Sequence, residues 1–174
     1  MTPKVERLVN TISGKESDST TSVVFCGRGG QGVLFASEVL AAAAMIEGFD
    51  VKKSEVHGMA QRGGSVVSQV RFGREVYSPL ALPGTVEFVV ALDEKEGERY
   101  KTYLRKGGKL LRLQAGVREA LPDSRTENVA VVGMLSRELP FSDRSWKGAI
   151  AAVAPPKTVE RNLESFALGR GGGI

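Results

Sequence analysis

The chain has 174 residues, 41% hydrophobic and 25% charged, which suits one globular domain with a real core and excludes a disordered chain. No apolar run approaches the roughly 20 residues of a membrane span, and the single cysteine, Cys26, excludes an internal disulfide and a cysteine-ligated zinc or iron–sulfur centre and points to a reducing cytoplasm. The net charge of +4 suits an anionic ligand or an acidic partner better than nucleic acid, because Lys and Arg are scattered and only three Tyr and one Trp could stack on bases.

Residues 1–20 read as an extension, a short helix or loose arm with Val5, Leu8, Val9 and Ile12 at helical spacing. The stretch Lys15–Thr21 is polar, so no secretory apolar segment is expected. Thr21–Cys26 is a compact apolar run and predicts a buried strand. Gln31 to about Gly48 predicts a helix, stopped by Gly48 and brought close to a sheet by Ala41–Ala44. Asp50–Glu55 predicts a second strand, the loop His57–Gly64 follows, and Ser65–Phe72 predicts a third, with Glu75–Ser78 pairing back across Gly73 as a hairpin. Pro79, Pro83 and Gly84 mark a loop, and Val86–Leu92 is the most apolar strand.

Asp93–Lys106 predicts a charged helix ended by Gly107 and Gly108, with Lys109–Leu113 starting another strand. Asn128–Leu135 is apolar, and Trp146–Ala154 is a helix or strand edge. Pro155 and Pro156 break the chain, and Lys157–Leu168 forms a last helix before a mobile tail, GRGGGI. Residues 21–170 form one domain, with 171–174 as a flexible end. Strands and helices alternate, but the third strand follows the second without a helix, which predicts a three-layer α/β/α domain with a mixed sheet.

Two glycine clusters carry the chemistry. Gly27, Gly29 and Gly32 satisfy GxGxxG between a strand and a helix, with Arg28, Gly30 and Gln31 between them. Such a turn either aims helix amides at a phosphate or only permits a tight strand-to-helix crossing. A nicotinamide-dinucleotide site also needs an acidic residue at the end of the second strand, within a complete βαβ unit. Glu55 stands there, and Lys52 or Lys53 could meet a 2′-phosphate, but no crossover helix follows.

The second cluster holds the lone histidine, His57, with Met59, Gln61, Arg62, Gly63 and Gly64. His57 is open to three roles: acid–base catalyst, hydrogen-bonding group at a ligand or subunit contact, or plain loop residue. Metal binding is poorly supported, because one histidine with scattered carboxylates gives no ligand spacing. Arg62 beside exposed backbone amides fits a carboxylate or phosphate clamp, or else a surface ion pair. Met59 suits an interface or a core. Glu94, Lys95, Glu96, Glu98 and Arg99 read as a solvated helix face.

GRGGQGVLFASEVLAAAA followed by SEVHGMAQRGGSVVSQVRFG resembles the gamma-type domain of 2-oxoacid:ferredoxin oxidoreductases. MAQRGGSV is closest to the small (beta) subunit of the indolepyruvate branch. YSPL at Tyr77–Leu80, NVAVVGMLS at Asn128–Ser136 and PKTVERNLESFALG at Pro156–Gly169 extend the likeness to residues 22–170. The resemblance implies a Rossmann-like, mostly parallel mixed sheet of the kind called domain III in pyruvate ferredoxin oxidoreductase. It implies a subunit whose large partner carries thiamine diphosphate, magnesium and iron–sulfur clusters. The implied reaction is oxidative decarboxylation of an aryl 2-oxoacid with coenzyme A to an acyl-CoA, electrons passing to ferredoxin. By position, the Gly27–Gly32 turn and the Glu55–Gly64 loop face the partner and the active-site cleft, with Arg28 or Arg62 near coenzyme A phosphates. No membrane or nucleic acid is implied. A pyruvate or 2-oxoglutarate subunit, or an independent nucleotide-binding module, is the alternative. KLLRLQ at Lys109–Gln114 departs from the family's Asn-Thr strand end, and residues 1–20 are an extension that the likeness does not place.

Overall fold

Six consecutive buried residues, Ser22–Gly27, set β1 (Thr21–Arg28) in the middle of a five-stranded sheet. The structure, a computed structural model, describes residues 20–57 and 63–171. After β1 come α1 (Val33–Ile46), β2 (Asp50–His57), β3 (Ser65–Gly73), β4 (Val86–Ala91) and α2 (Glu94–Tyr100). A 3-10 turn (Lys101–Tyr103) leads to β5 (Leu104–Arg112), α3 (Ala115–Glu119), a second 3-10 turn (Ser124–Thr126), α4 (Glu127–Ser136) and α5 (Asp143–Val153). A third 3-10 turn (Pro156–Thr158) precedes α6 (Val159–Gly171).

The sheet order is β2-β3-β1-β4-β5. β1 pairs parallel with β4, and β4 parallel with β5, whereas β3 runs antiparallel to both β1 and β2. Four strands thus share one direction and β3 alone is reversed, the mixed α/β sheet expected. The alternation of β1 divides the core. Val23 and Phe25 pack with α1, α4, α5 and α6, while Val24 and Cys26 face Tyr100, Tyr103 and Ala81 on the other side.

The large core face is held by aromatic contacts. Phe49, Phe72, Phe141, Trp146 and Phe166 form a chain of rings with centroids 5.3 to 5.8 Å apart, worth about 0.5–1.5 kcal/mol per pair beyond burial. Helices α4 and α6 make the closest contact: a Cβ at Gly169 would lie 2.6 Å from the Ala130 carbonyl carbon.

Four expectations need correction. Glu75–Ser78 forms no strand; β3 pairs instead with β2, and Val76 N donates to Asp50 Oδ2 at 2.8 Å. The helix after Asp93 ends at Tyr100, so Gly107 and Gly108 do not stop it but lie inside β5. There Gly107 takes φ 80°, and the pairing shifts register between Val86 and Phe88, a bulge that the charged run conceals. Gly169, Arg170 and Gly171 continue α6 rather than forming a loose tail. Glu96 is not simply solvated, because it accepts a hydrogen bond from Ser65 Oγ at 2.7 Å. The expectation for residues 1–20 lies, but for Thr20, outside the described residues.

Three carboxylates give the fold a definite acid sensitivity. Hydrogen bonds from Ser145 and Ser142 hold Glu47 below its ordinary pKa, Lys52 and the Val76 amide do so for Asp50, and Arg125 above all for Asp123. A pKa lowered by folding contributes stability above the unfolded value and loses it as pH falls through the folded one. The melting temperature is therefore expected to be level from about pH 7 to 5 and to drop below about pH 4. Calorimetry across that range checks this; a melting temperature unchanged down to pH 3 would contradict it.

Candidate functional site

The reversed direction of β3 builds the site. β2 ends at His57 and β3 begins at Ser65, so their connection lies at the same sheet end as the turn after β1. The register sets Arg28 opposite Ser65 and His57 opposite Val66. A crossover helix between β2 and β3 would have carried the chain to the far end instead. The missing helix that weakens the dinucleotide reading is thus what brings the two glycine clusters together. Gly29 N donates to Gly64 O at 2.9 Å, and a Cβ at Gly29 would lie 3.5 Å from Gly63 N.

Side chains from distant segments fix the first turn. Gln31 Oε1 accepts from Arg28 N at 2.6 Å, and its Nε2 donates to Leu92 O at 3.1 Å, clamping the turn to the end of β4. Gly32, with φ 77°, is the N-cap of α1. Asn128 of α4 backs it, donating from Nδ2 to Gly32 O at 3.3 Å while its Oδ1 accepts from Val129 N at 3.0 Å. Gln31→Ala is expected to cost about 1–2 kcal/mol, since two hydrogen bonds are lost at a partly solvated position. Denaturant unfolding measures it, and a cost below about 0.3 kcal/mol would mean that the clamp is not formed.

Charge is largely paired at the turn and along β2. Arg28 Nε lies 3.4 Å from Asp93 Oδ2, and Asp93 also caps α2 by accepting from Glu96 N at 3.1 Å. Lys52 pairs with Asp50, and Lys53 with Glu38 and Glu55. Burial, reinforced by the Glu96 and Asp93 charges, pushes the Cys26 thiol up to about 12, so it is not a nucleophile at neutral pH. Among the described residues no three His, Cys, Asp or Glu side chains converge to hold a metal. One buried cysteine does not fit an iron–sulfur cluster either.

Beside the turn lies a cleft of about 250 Å³ lined by Gly30, Gln31, Gly32, Leu92, Ser124, Arg125 and Glu127. Arg125 also borders a second cleft, where it and Arg161 both bond Asp123. Asp123, Arg125, Asn128 and Arg161 were not candidates from sequence. Their only sequence signal is the cap-forming Asp123 before an apolar helix.

Of the expected loop residues, Gly63 (φ 70°) and Gly64 stand at the junction and Glu55 lies on β2 next to Lys53. His57 ends β2, with its side chain outside the description, and Met59, Gln61 and Arg62 lie outside the described residues. The arrangement presents glycine backbone, helix amides and a few cations at one sheet end. It can hold or abut a ligand, and no reacting group is assembled among the described residues.

The sequence profile of the family described as pyruvate ferredoxin/flavodoxin oxidoreductase matches residues 22–122. An indolepyruvate oxidoreductase subunit IorB from Thermococcus kodakarensis is 31% identical over 188 residues, covering 85% of this chain and 93% of that protein. A 2-oxoglutarate synthase subunit KorC from Methanocaldococcus jannaschii is 26% identical, covering 82% and 88%. The gamma subunit of a keto/oxoacid ferredoxin oxidoreductase from Geobacter sulfurreducens shares the fold, with a TM-score of 0.72 at 22% identity over 87% of this chain and 94% of that one. Among the described residues no helix is long and apolar enough to cross a membrane.

Proposed function

The chain belongs to the pyruvate ferredoxin/flavodoxin oxidoreductase family, and from that premise we propose that it is the small subunit of a ferredoxin oxidoreductase acting on indolepyruvate or another aryl pyruvate. A larger subunit carries thiamine diphosphate, magnesium and iron–sulfur clusters, which supply the decarboxylation and electron transfer. Coenzyme A is the co-substrate, ferredoxin accepts electrons through the complex, and the assembly works in the cytoplasm without nucleic acid or membrane. The observation that carries this reading is the near full-length similarity to an indolepyruvate oxidoreductase small subunit, 85% of this chain and 93% of the relative.

The Gly29–Gly64 contact supports a structural role at the partner's cleft. Glycine backbone lets another surface come close, and the clamped turn holds the N-terminal amides of α1 in one place. Arg62, two residues from Gly64, is the cation we assign to a coenzyme A phosphate. Loss of a charged hydrogen bond costs about 1.5–3 kcal/mol, so Arg62→Ala raises the coenzyme A KM roughly tenfold or more with assembly intact.

Co-expression with the large subunit, size exclusion and dye reduction with indolepyruvate, phenylpyruvate, pyruvate and 2-oxoglutarate test the proposal. Co-elution and coenzyme A-dependent reduction with an aryl pyruvate are expected. No co-elution and no reduction with any 2-oxoacid would sink it, and preference for 2-oxoglutarate or pyruvate would move the chain to a sister branch. Micromolar NADPH binding by the isolated chain would favour a nucleotide module instead.

A further inference from the structure

The glycine junction has no side chains of its own to fix it, because Gly29, Gly63 and Gly64 meet through backbone alone. Arg28 precedes Gly29 and Ser65 follows Gly64, and the pairing of β1 with β3 sets these two residues directly opposite each other. Both reach the first turn of the same helix. Arg28 Nε lies 3.4 Å from Asp93 Oδ2, and Ser65 Oγ donates to Glu96 Oε2 at 2.7 Å. Asp93 is the N-cap of α2, and its Oδ1 accepts from Glu96 N at 3.1 Å, so the two carboxylates are tied to each other. Arg99 Nη1 stands 3.9 Å from the Glu96 carboxylate. The Glu96 side chain is 14% exposed, against 85% for Glu94 in the same turn. α2 is itself seated on the sheet: at buried Gly97 a Cβ would lie 2.8 Å from the Ala91 side chain of β4.

We propose that Ser65 and Glu96 are positioning residues, which with the Arg28–Asp93 pair hold the glycine junction in the geometry that its ligand meets. The inference rests on the function proposed above for the identity of that ligand, coenzyme A. β1 leaves the sheet at Arg28 and β3 enters it at Ser65. Without a grip on both ends, the strands can splay and open the Gly29–Gly64 hydrogen bond. A hydroxyl donating to a carboxylate makes a charge-assisted bond, which resists that opening better than a neutral contact would. α2 lies on the sheet face that holds Val24 and Cys26, whereas α4, whose Asn128 backs Gly32, lies on the face that holds Val23 and Phe25. The two glycine clusters are then held from both faces of the sheet, and only the α4 side depends on Asn128.

Two measurements separate this pair from the reading it rests on. On the full chain alone, hydrogen exchange reads the Gly29 amide, which donates to Gly64 O. Glu96→Ala is expected to speed its exchange about tenfold, with the Val89 and Val90 amides of β4 unchanged as the folding control. Glu96→Gln keeps an oxygen for Ser65 Oγ and should stay within about twofold of the wild type. Both variants remove the charge, so a difference between them belongs to the hydrogen bond. Equal Gly29 exchange in the wild type and Glu96→Ala would overturn the proposal, as would equal acceleration in the two variants. In the co-expressed complex, Glu96→Ala is expected to raise the coenzyme A KM about fivefold with kcat within about twofold, and Glu96→Gln to restore it. Glu94→Ala, at the exposed neighbour, should change neither constant. Faster Gly29 exchange with an unchanged coenzyme A KM would overturn the positioning role. A wild-type complex without coenzyme A-dependent reduction would instead sink the proposed function, and the exchange result would still decide whether the pair holds the junction.

Discussion

Gly169→Ala is expected to destabilise the protein by about 3 kcal/mol or more, lowering the melting temperature by roughly 10 °C, although alanine is ordinarily the better helix former. The usual gain of about 1 kcal/mol comes from lost backbone freedom in the unfolded chain. At Gly169 it is outweighed by sterics, because the new Cβ would overlap the Ala130 carbonyl oxygen and lie 2.6 Å from its carbon. That obstacle is helix backbone, which has no rotamer to change. α6 would have to lift from α4, opening the Trp146–Phe166 contact and stretching the buried Thr126–Ser165 hydrogen bond of 2.7 Å. Gly116→Ala in α3 is the matching control, since a Cβ there meets nothing within 4 Å. It should stabilise by about 0.5–1 kcal/mol, raising the melting temperature by a few degrees. Two glycine-to-alanine changes in helices of one protein then have opposite signs. Calorimetry on both decides the matter, and two increases would mean that α4 and α6 do not meet as described.

The same position shows where sequence reasoning stops. GRGGGI reads as a mobile tail because glycine is the commonest residue of loose ends. Its first glycine is needed for the opposite reason, to let two helices touch, and nothing local in the sequence announces that. β5 is hidden similarly. LRKGGKLLR has charged residues facing water at a sheet edge and a bulge at Gly107, so its alternation is broken where a strand signal would be read. By contrast, β1, β3, β4 and α1 are legible because each is buried enough for its apolar pattern to be continuous.

For the site, local and long-range information separate cleanly. The GxGxxG turn is visible because its glycines and the helix that follows are contiguous. Its attachment to Gly64, 35 residues later, depends on the antiparallel register of β3, and its support by Asn128 spans 96 positions. The absent crossover helix is visible in the sequence and argues against a dinucleotide site. Its constructive consequence, two loops at one sheet end, requires the pairing order β2-β3-β1.

Gly32→Ala is expected to be the most damaging single change at the site, and its damage should depend on Asn128. Two costs combine. With φ 77° at the N-cap of α1, alanine enters the left-handed region at a cost of about 1 kcal/mol. Its Cβ would also overlap Asn128 Nδ2 and lie 2.9 Å from Cγ. Asn128 is buried, so it must swing aside and leave both the Gly32 carbonyl and the Val129 amide, each contact worth about 1 kcal/mol. The sum is about 3 kcal/mol. Asn128→Ala alone loses only the hydrogen bonds, about 1–2 kcal/mol. In the double variant the overlap has no object, so the combined loss should fall short of the sum of the singles by 1 kcal/mol or more. Denaturant unfolding of the four proteins measures this coupling, and strict additivity would show that the two residues do not oppose each other. In the co-expressed complex the same cycle separates folding from function. If the partner's cleft needs the α1 amides where Gly32 places them, Gly32→Ala should lower 2-oxoacid-dependent dye reduction by tenfold or more even at temperatures where the subunit stays folded. Asn128→Ala, which leaves the glycine turn its φ, should lower it far less. Equal losses in the two single variants would show that activity follows stability alone and that the turn's geometry carries no function of its own.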